Sequence, residues 1–98
     1  MPKGYIIARL TVNDPEAYKA YAAAASAAMK IYGATILARG GRSEALEGDA
    51  RPRNVILEFP SYEAARTYYD SPEYQAAINL RRPVSEGELV LVEGYDAP

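Results

Sequence analysis

Residues 35–60, TILARGGRSEALEGDARPRNVILEFP, set the architecture. Thr35-Ile36-Leu37-Ala38-Arg39 has the β-branched and apolar content of a strand, and Arg53-Asn54-Val55-Ile56-Leu57-Glu58-Phe59 is a stronger one. Gly40-Gly41 between them predicts a bulge or a close backbone approach, because glycine weakens a regular ladder. Ser43 to Glu47 is expected to resume the strand, and Glu47-Gly48-Asp49 to reverse it, with Gly48 free to take a positive φ. The stretch thus reads as one long hairpin that Pro60 stops. Alternation puts Thr35, Leu37 and Arg39 on one face of the first arm and Ala34, Ile36 and Ala38 on the other. In the second arm Asn54, Ile56 and Glu58 lie opposite Arg53, Val55, Leu57 and Phe59. One face is apolar, while the other mixes Leu37 and Ile56 with Arg39 and Glu58.

Working outward, residues 5–12 (YIIARLTV) form a strand with Ile6, Ala8, Leu10 and Val12 on an apolar face and Tyr5, Ile7, Arg9 and Thr11 on a mixed one. Asp14-Pro15-Glu16 starts a helix: an N-cap, a proline at the first helical position and an acid against the positive helix end. Tyr18, Tyr21, Ala22, Ala25, Ala28, Met29 and Tyr32 recur at three-and-four spacing, and Gly33 ends the helix. Downstream of the hairpin Ser61 caps a second helix, which Ser71-Pro72-Glu73 breaks and restarts. Ser85-Glu86-Gly87 reads as a turn. Residues 88–95 (ELVLVEGY) read as the last strand, with Val90 and Val92 facing the helices and Leu89, Leu91, Glu93 and Tyr95 facing away. The order β-α-β-β-α-β predicts a single α+β domain over residues 1–98, ferredoxin-like, with helices on one face of a four-stranded antiparallel sheet.

The 98-residue chain is marginal alone and gains from association. The net charge of −2 with interleaved bases and acids gives no footprint for nucleic acid. The absence of cysteine and histidine removes disulfides, thiolate nucleophiles and the commonest metal ligands, so neither metal nor cofactor is expected. The apolar run Ala22 to Met29 is too short to span a bilayer. With Met1-Pro2-Lys3-Gly4 leading straight into a strand, a soluble cytoplasmic protein is the expectation.

The sheet face away from the helices carries six large apolar side chains, worth on the order of 1.5–3 kcal/mol each when covered. Left in water they would form a larger patch than monomers usually expose. Face-to-face homodimerisation of two sheets is therefore expected. It would trap Arg9, Arg39, Glu58 and Glu93, which must pair or line a wet cavity. One reading makes them interface ion pairs that fix register, in a non-catalytic dimeric module. The other gives a small anionic or carbonyl-bearing ligand to Arg39, with Arg9 and Tyr5 alongside and Glu58 as the proton-transfer group of a cofactor-independent enzyme. Tyr69 and Tyr74 flank the helix break and are candidates for a pocket wall. Arg42, Arg51 and Arg53 with Glu44, Glu47 and Asp49 form either an anion site at the hairpin tip or a cross-strand charge ladder.

The motifs Gly4-Tyr5-Ile6, Asp14-Pro15-Glu16-Ala17-Tyr18, Arg39-Gly40-Gly41, Leu46-Glu47-Gly48-Asp49, Arg51-Pro52-Arg53, Glu58-Phe59-Pro60 and Tyr69-Asp70-Ser71-Pro72-Glu73-Tyr74-Gln75 come in order over nearly the whole chain. In them the sequence resembles the DUF1330 family, a bacterial domain of unknown function. The resemblance implies the dimeric α/β-barrel superfamily, which pairs two ferredoxin-like sheets and includes cofactor-independent monooxygenases, isomerases, haem enzymes and plain binding modules. It implies no established activity. One departure is Ala50, where the family often carries tryptophan.

Overall fold

The computed structural model describes residues 2–96. These form β1 (Gly4–Val12), α1 (Pro15–Tyr32), β2 (Thr35–Arg39), β3 (Arg53–Phe59), α2 (Tyr62–Asp70), α3 (Pro72–Arg81), a 3-10 turn (Arg82–Val84) and β4 (Ser85–Glu93). The strands make one antiparallel sheet in the order β2-β3-β1-β4, the ferredoxin-like arrangement, with the helices on one face.

The helix boundaries follow from local chemistry. Asp14 accepts from the Ala17 N–H at 3.2 Å, and Ser61 accepts from the Ala64 N–H at 3.0 Å. Ser71 ends α2 and caps α3 by accepting from the Tyr74 N–H at 3.1 Å, so the second helix is in two pieces. Gly33 takes the left-handed conformation that closes α1, at φ 72°. The core lies between the helices and the sheet: Ile6, Leu10, Val55, Leu57 and Phe59 from the strands meet Tyr21, Ala25, Ala28, Ala65, Tyr68, Tyr74 and Ile78. The alanine-rich face of α1 is what permits this close approach.

Three expectations are overturned. First, the hairpin does not continue beyond its arms. The chain leaves the ladder after Arg39, and residues 40–52 are a loop without strand. Gly48 does take a positive φ of 71°, but it bends a loop instead of reversing a ladder. The loop folds back over the sheet, where the Asp49 carbonyl accepts from Arg9 Nη2 at 3.3 Å.

Second, the bulge falls at Leu37 and not at Gly40-Gly41. Ile36 pairs with Leu57, then Ala38 with Ile56 and Arg39 with Val55. One extra residue inverts every side chain beyond it. Arg39 therefore faces the helices, not the open side, and Ala38 takes the open position. Third, Ser85-Glu86-Gly87 is the start of β4 and not a turn, and the phase of the strand is opposite to that expected. Val90 pairs with Ile7 and Val92 with Tyr5 on the open face, while Leu89 and Leu91 pair with Ala8 and Ile6 on the helix side. Glu93, opposite Gly4, likewise leaves the open face. Leucines fill the helix-side gap better here, and a strand apolar on both faces carries no phase of its own.

Candidate functional site

The sheet separates the sequence-derived site residues into two groups. Glu58, Tyr5 and Arg9 lie on the open face; Arg39 and Tyr74 lie between helices and sheet. Glu58 therefore does not meet Arg39.

On the open face Tyr5 stands directly across from Glu58 in the β1–β3 ladder, and its hydroxyl donates to Glu58 Oε2 at 3.0 Å. That bond to a carboxylate raises the Tyr5 pKa, with smaller contributions from burial and from the Glu58 charge. Around the pair, Ile7, Ile56, Val90 and Val92 expose apolar surface, as does the bulged Leu37. Toward the other end of the strands the face is covered by its own loop. Arg51 donates to both oxygens of Glu88 at 2.9 and 2.8 Å and to Thr11 Oγ1 at 3.0 Å. These bonds hold the Glu88 carboxyl below its ordinary value and raise Arg51 further. Arg9 reaches Glu88 only at 4.0 Å.

The second site lies inside. A cavity of about 30 Å³ is lined by Tyr18, Tyr21, Tyr68, Tyr74, Arg39 and Arg53 together with core aliphatics. Arg39 enters from β2, and its Nη2 donates to the Ser26 hydroxyl at 2.8 Å and the Ala22 carbonyl at 3.2 Å. The Ser26 hydroxyl itself donates to that carbonyl at 2.8 Å, so α1 presents a fixed acceptor pair to the guanidinium. Tyr21 and Tyr74 share a buried 2.8 Å hydrogen bond between hydroxyls. Tyr68 is 1 % exposed, and its hydroxyl has no hydrogen-bond partner among the described residues. Burial raises the pKa of Tyr21, Tyr68 and Tyr74 above the ordinary phenol value, so all three stay protonated near neutral pH. Near Tyr68 the Arg39 charge opposes that rise, and near Tyr74 the Tyr21 hydrogen bond and Arg81 do so.

Arg81 is a further guanidinium nearby, outside the lining of the cavity. It is 7 % exposed, lies 5.7 Å from the centre of the Tyr21 ring, and its Nε has no partner among the described residues. Among the described residues none of Arg39, Arg53 and Arg81 forms a salt bridge, and no carboxylate lines the cavity. Arg81 is buried and Arg39 and Arg53 are half-buried, and a cation taken out of water without an anion costs several kcal/mol when burial is complete. Such a carboxylate-free, guanidinium-rich cavity with a free phenol donor is suited to holding an oxyanion.

Tyr69 borders a separate cleft of about 210 Å³ with Arg66, outside the cavity, although its ring packs 5.5 Å from that of Tyr74. The hairpin-tip cluster is dispersed: Arg51 crosses to Glu88 on the open face, Arg53 turns inward to Tyr18, and Arg42 is exposed. Sequence reasoning missed Arg81 and Tyr68. Arg81 was marked by its spacing, since Tyr74, Ala77, Ile78 and Arg81 are one buried stripe of α3 at i, i+3, i+4 and i+7. For Tyr68 no signal separates a free hydroxyl from a bonded one. No three or more His, Cys, Asp or Glu side chains converge into a metal site among the described residues. No helix among them is long and apolar enough to cross a membrane.

The family model described as a domain of unknown function, DUF1330, matches residues 3–95. No curated protein matches the sequence. Among solved structures, a protein of unknown function from Rhodopseudomonas palustris is similar over 98 % of this chain and 85 % of its own, at 18 % identity and a TM-score of 0.75. SnoaB, a cofactor-independent oxygenase from Streptomyces nogalater, is similar over 99 % of this chain and 97 % of its own, at 16 % identity and a TM-score of 0.66. A dimeric ferredoxin-like protein of unknown function from Thermobifida fusca is similar over 94 % and 89 %, at 19 % identity and a TM-score of 0.62. At such identities the likeness is one of fold.

Proposed function

The chain belongs to the DUF1330 family, a domain of unknown function, and from that premise we propose that it is a homodimer whose helix–sheet cavity binds a small anionic or carbonyl-bearing molecule. The observation that carries the reading is a cavity without a carboxylate whose wall holds two guanidiniums, Arg39 and Arg53, together with a Tyr68 hydroxyl that has no partner among the described residues. An incoming oxyanion would give Arg39 its counter-charge and Tyr68 an acceptor at once. Charge-assisted bonds of this kind are about twice as strong as neutral ones. The same arrangement suits a cofactor-independent enzyme. It would stabilise an enolate or similar oxyanion with Arg39 and neutral tyrosine donors, with Tyr74 as the group next to the reacting atoms. The likeness to a cofactor-independent oxygenase is in keeping with this and concerns the fold.

In this reading Glu58, Tyr5 and Arg9 serve the open face. Val90 at 53 %, Leu37 at 53 % and Val92 at 43 % exposure leave an apolar surface that a second copy would cover. Structural neighbours described as dimeric support the same assembly. The Tyr5 hydroxyl gives the Glu58 carboxylate a partner within its own protomer, which lowers the cost of taking that charge into an interface.

A thermal-shift series with formate, acetate, benzoate and phosphate on the wild type and Arg39→Met tests the cavity. A ligand at a hundredfold excess over its Kd adds about 2.7 kcal/mol of stability. At least one of these anions should raise the wild-type Tm and leave that of Arg39→Met unmoved. Glu58→Gln should leave the ligand effect intact and weaken the dimer by light scattering. If no anion moves the wild-type Tm and both variants act only on assembly, the chain is a non-catalytic dimeric module. The Arg9, Arg51 and Glu88 network on the open face is the observation that favours that second reading.

A further inference from the structure

The cavity as it stands is small and only partly enclosed, since Arg39 and Arg53 in its wall are half-exposed. About 30 Å³ has room for one or two waters or an ion as small as formate, far short of an aromatic ring. A groove of about 450 Å³ lies beside it, lined by Val12, Pro15, Lys19, Gly40 and Pro52, and it shares two residues with the cavity: Tyr18 and Arg53. The two spaces thus have one pair of side chains in common in their walls. Arg53 Nε donates to the Tyr18 hydroxyl at 3.2 Å, and the guanidinium lies 5.2 Å from the centre of the Tyr18 ring. No other hydrogen bond and no salt bridge from the Arg53 side chain is made among the described residues.

The guanidinium has room to lie there because residue 40 is glycine. A Cβ on Gly40 would run into Arg53 Nη1, and the backbone φ of 66° is one that side-chain-bearing residues avoid. Tyr18 and Arg53 come from rigid elements, α1 and the first position of β3, so the movable part is the long side chain of Arg53. The groove wall is largely apolar but carries the cations Lys19 and Arg53, and no carboxylate lines it.

We propose that Arg53 is a latch between groove and cavity, and that the ligand is an aromatic or alicyclic carboxylate or enolate. Its anionic head enters the cavity beside Arg39, and its apolar body lies in the groove once Arg53 leaves Tyr18. This rests on the inner cavity being an anion site. Arg53 acts twice. It shuts the cavity against water in the free protein, and it caps the ligand's charge from the groove side when released. A head-only ligand such as formate is small enough to leave the body groove empty. A body-bearing ligand such as benzoate must wait for the latch.

Proton NMR line broadening of formate and benzoate, with titrations, gives the association and dissociation rates of each probe on wild type, Arg53→Ala, Tyr18→Phe and Arg39→Met. Benzoate should associate with the wild type more slowly than formate. Its association rate should rise by about tenfold in Arg53→Ala, where hydrogen bond and cation–π contact are both gone. Dissociation should rise by more, since one guanidinium is lost. Tyr18→Phe keeps the ring and loses only the bond, so it should give a smaller acceleration; it carries the test if Arg53→Ala does not fold. Arg39→Met should abolish binding of both probes. Equal association rates for the two probes, or benzoate rates unchanged in both latch variants, would overturn the latch while leaving the anion site in place. Formate binding without benzoate binding would overturn the ligand class alone. If neither probe binds the wild type, the anion site fails and the latch with it.

Discussion

The two faces of the sheet carry similar residue types to opposite ends. On the helix side, Arg39, Arg53 and Arg81 stand among tyrosine rings with no acid to meet them. On the open side Arg9 and Arg51 do have an acid to meet: both face Glu88, and Arg9 also reaches the loop backbone. The apolar residues divide the other way. Leu10, Leu57 and Phe59 are fully enclosed, while Ile7, Ile56, Val90 and Val92 await cover. Satisfied charge beside unsatisfied grease describes an interface; enclosed grease beside unsatisfied charge describes a binding site. The comparison can be broken at several points.

The largest effect should come from truncating each face in turn. Phe59→Ala removes a ring that is 1 % exposed and packs 5.1 Å from Tyr68. It should cost about 3–5 kcal/mol in urea denaturation. Val90→Ala, on the open face of a dilute protomer, should cost no more than about 0.5 kcal/mol. Near-equal costs in dilute protein would mean that the open face is already covered within the protomer, and the contrast between the faces would disappear.

A charge placed at Val90 sharpens the same contrast at the level of assembly. Val90→Lys should raise the dimer dissociation constant by about a hundredfold or more, because an unpaired charge would be taken out of water. The protomer should remain folded, with an unchanged far-UV spectrum. Sedimentation across a concentration series separates the outcomes: a dimer as tight as the wild type would show that this face is not the contact.

How much of this was legible in the sequence depends on whether a signal was local. Asp14, Gly33, Ser61 and Ser71 act on backbone groups within four residues, so capping chemistry placed every helix boundary except the end of α3. The face of Arg39 was not legible. It turns on a bulge at Leu37, and nothing in Thr35-Ile36-Leu37-Ala38-Arg39 distinguishes a regular ladder from one with an extra residue. The phase of β4 was hidden for a different reason: valine and leucine alternate there, and either set could serve as core. Arg81 could have been found, since it falls on the buried stripe of α3, where arginine is costly unless it is used. The candidate site was thus half readable. The strands that carry Arg39 and Glu58 were placed, while the sheet, through one bulge, put the two side chains on opposite sides.

A smaller effect, of opposite sign to most core substitutions, is expected at Tyr68. Its hydroxyl is buried without a partner, so Tyr68→Phe removes an unsatisfied donor while keeping the ring against Phe59 and Tyr74. The free protein should gain about 1 kcal/mol of stability and lose affinity for anions. The alkaline limb checks the assignment independently. The folded pKa of Tyr68 lies above the ordinary value of 10.0 because of burial. Its contribution is therefore complete below the unfolded pKa and is lost as pH rises toward the folded one. Above about pH 10 the wild type should lose stability faster than Tyr68→Phe. A destabilised phenylalanine variant would mean that the hydroxyl has a partner and is not waiting for one, and identical alkaline limbs would mean that it is not buried.

The smallest effect belongs to the strap on the open face. Arg51 ties the loop to β4 through Glu88, and its hydrogen bonds hold that carboxyl below the ordinary glutamate value. A folded pKa below the unfolded one contributes stability that is full above the unfolded value and is lost as pH falls through the folded value. The strap should therefore hold at neutral pH and release only in acid, below the usual glutamate range. Glu88 is exposed and Arg51 only part-buried, so global stability should barely register the loss. Local opening should register it: amide exchange in residues 40–52 should accelerate in acid, and Glu88→Gln should show that acceleration already at neutral pH. The helix-side anion site should be indifferent to both changes, because the sheet lies between them. An anion affinity that fell together with release of the strap would show that the two faces communicate through the loop of residues 40–52, which begins at Gly40 beside Arg53 and carries Arg51 near its end.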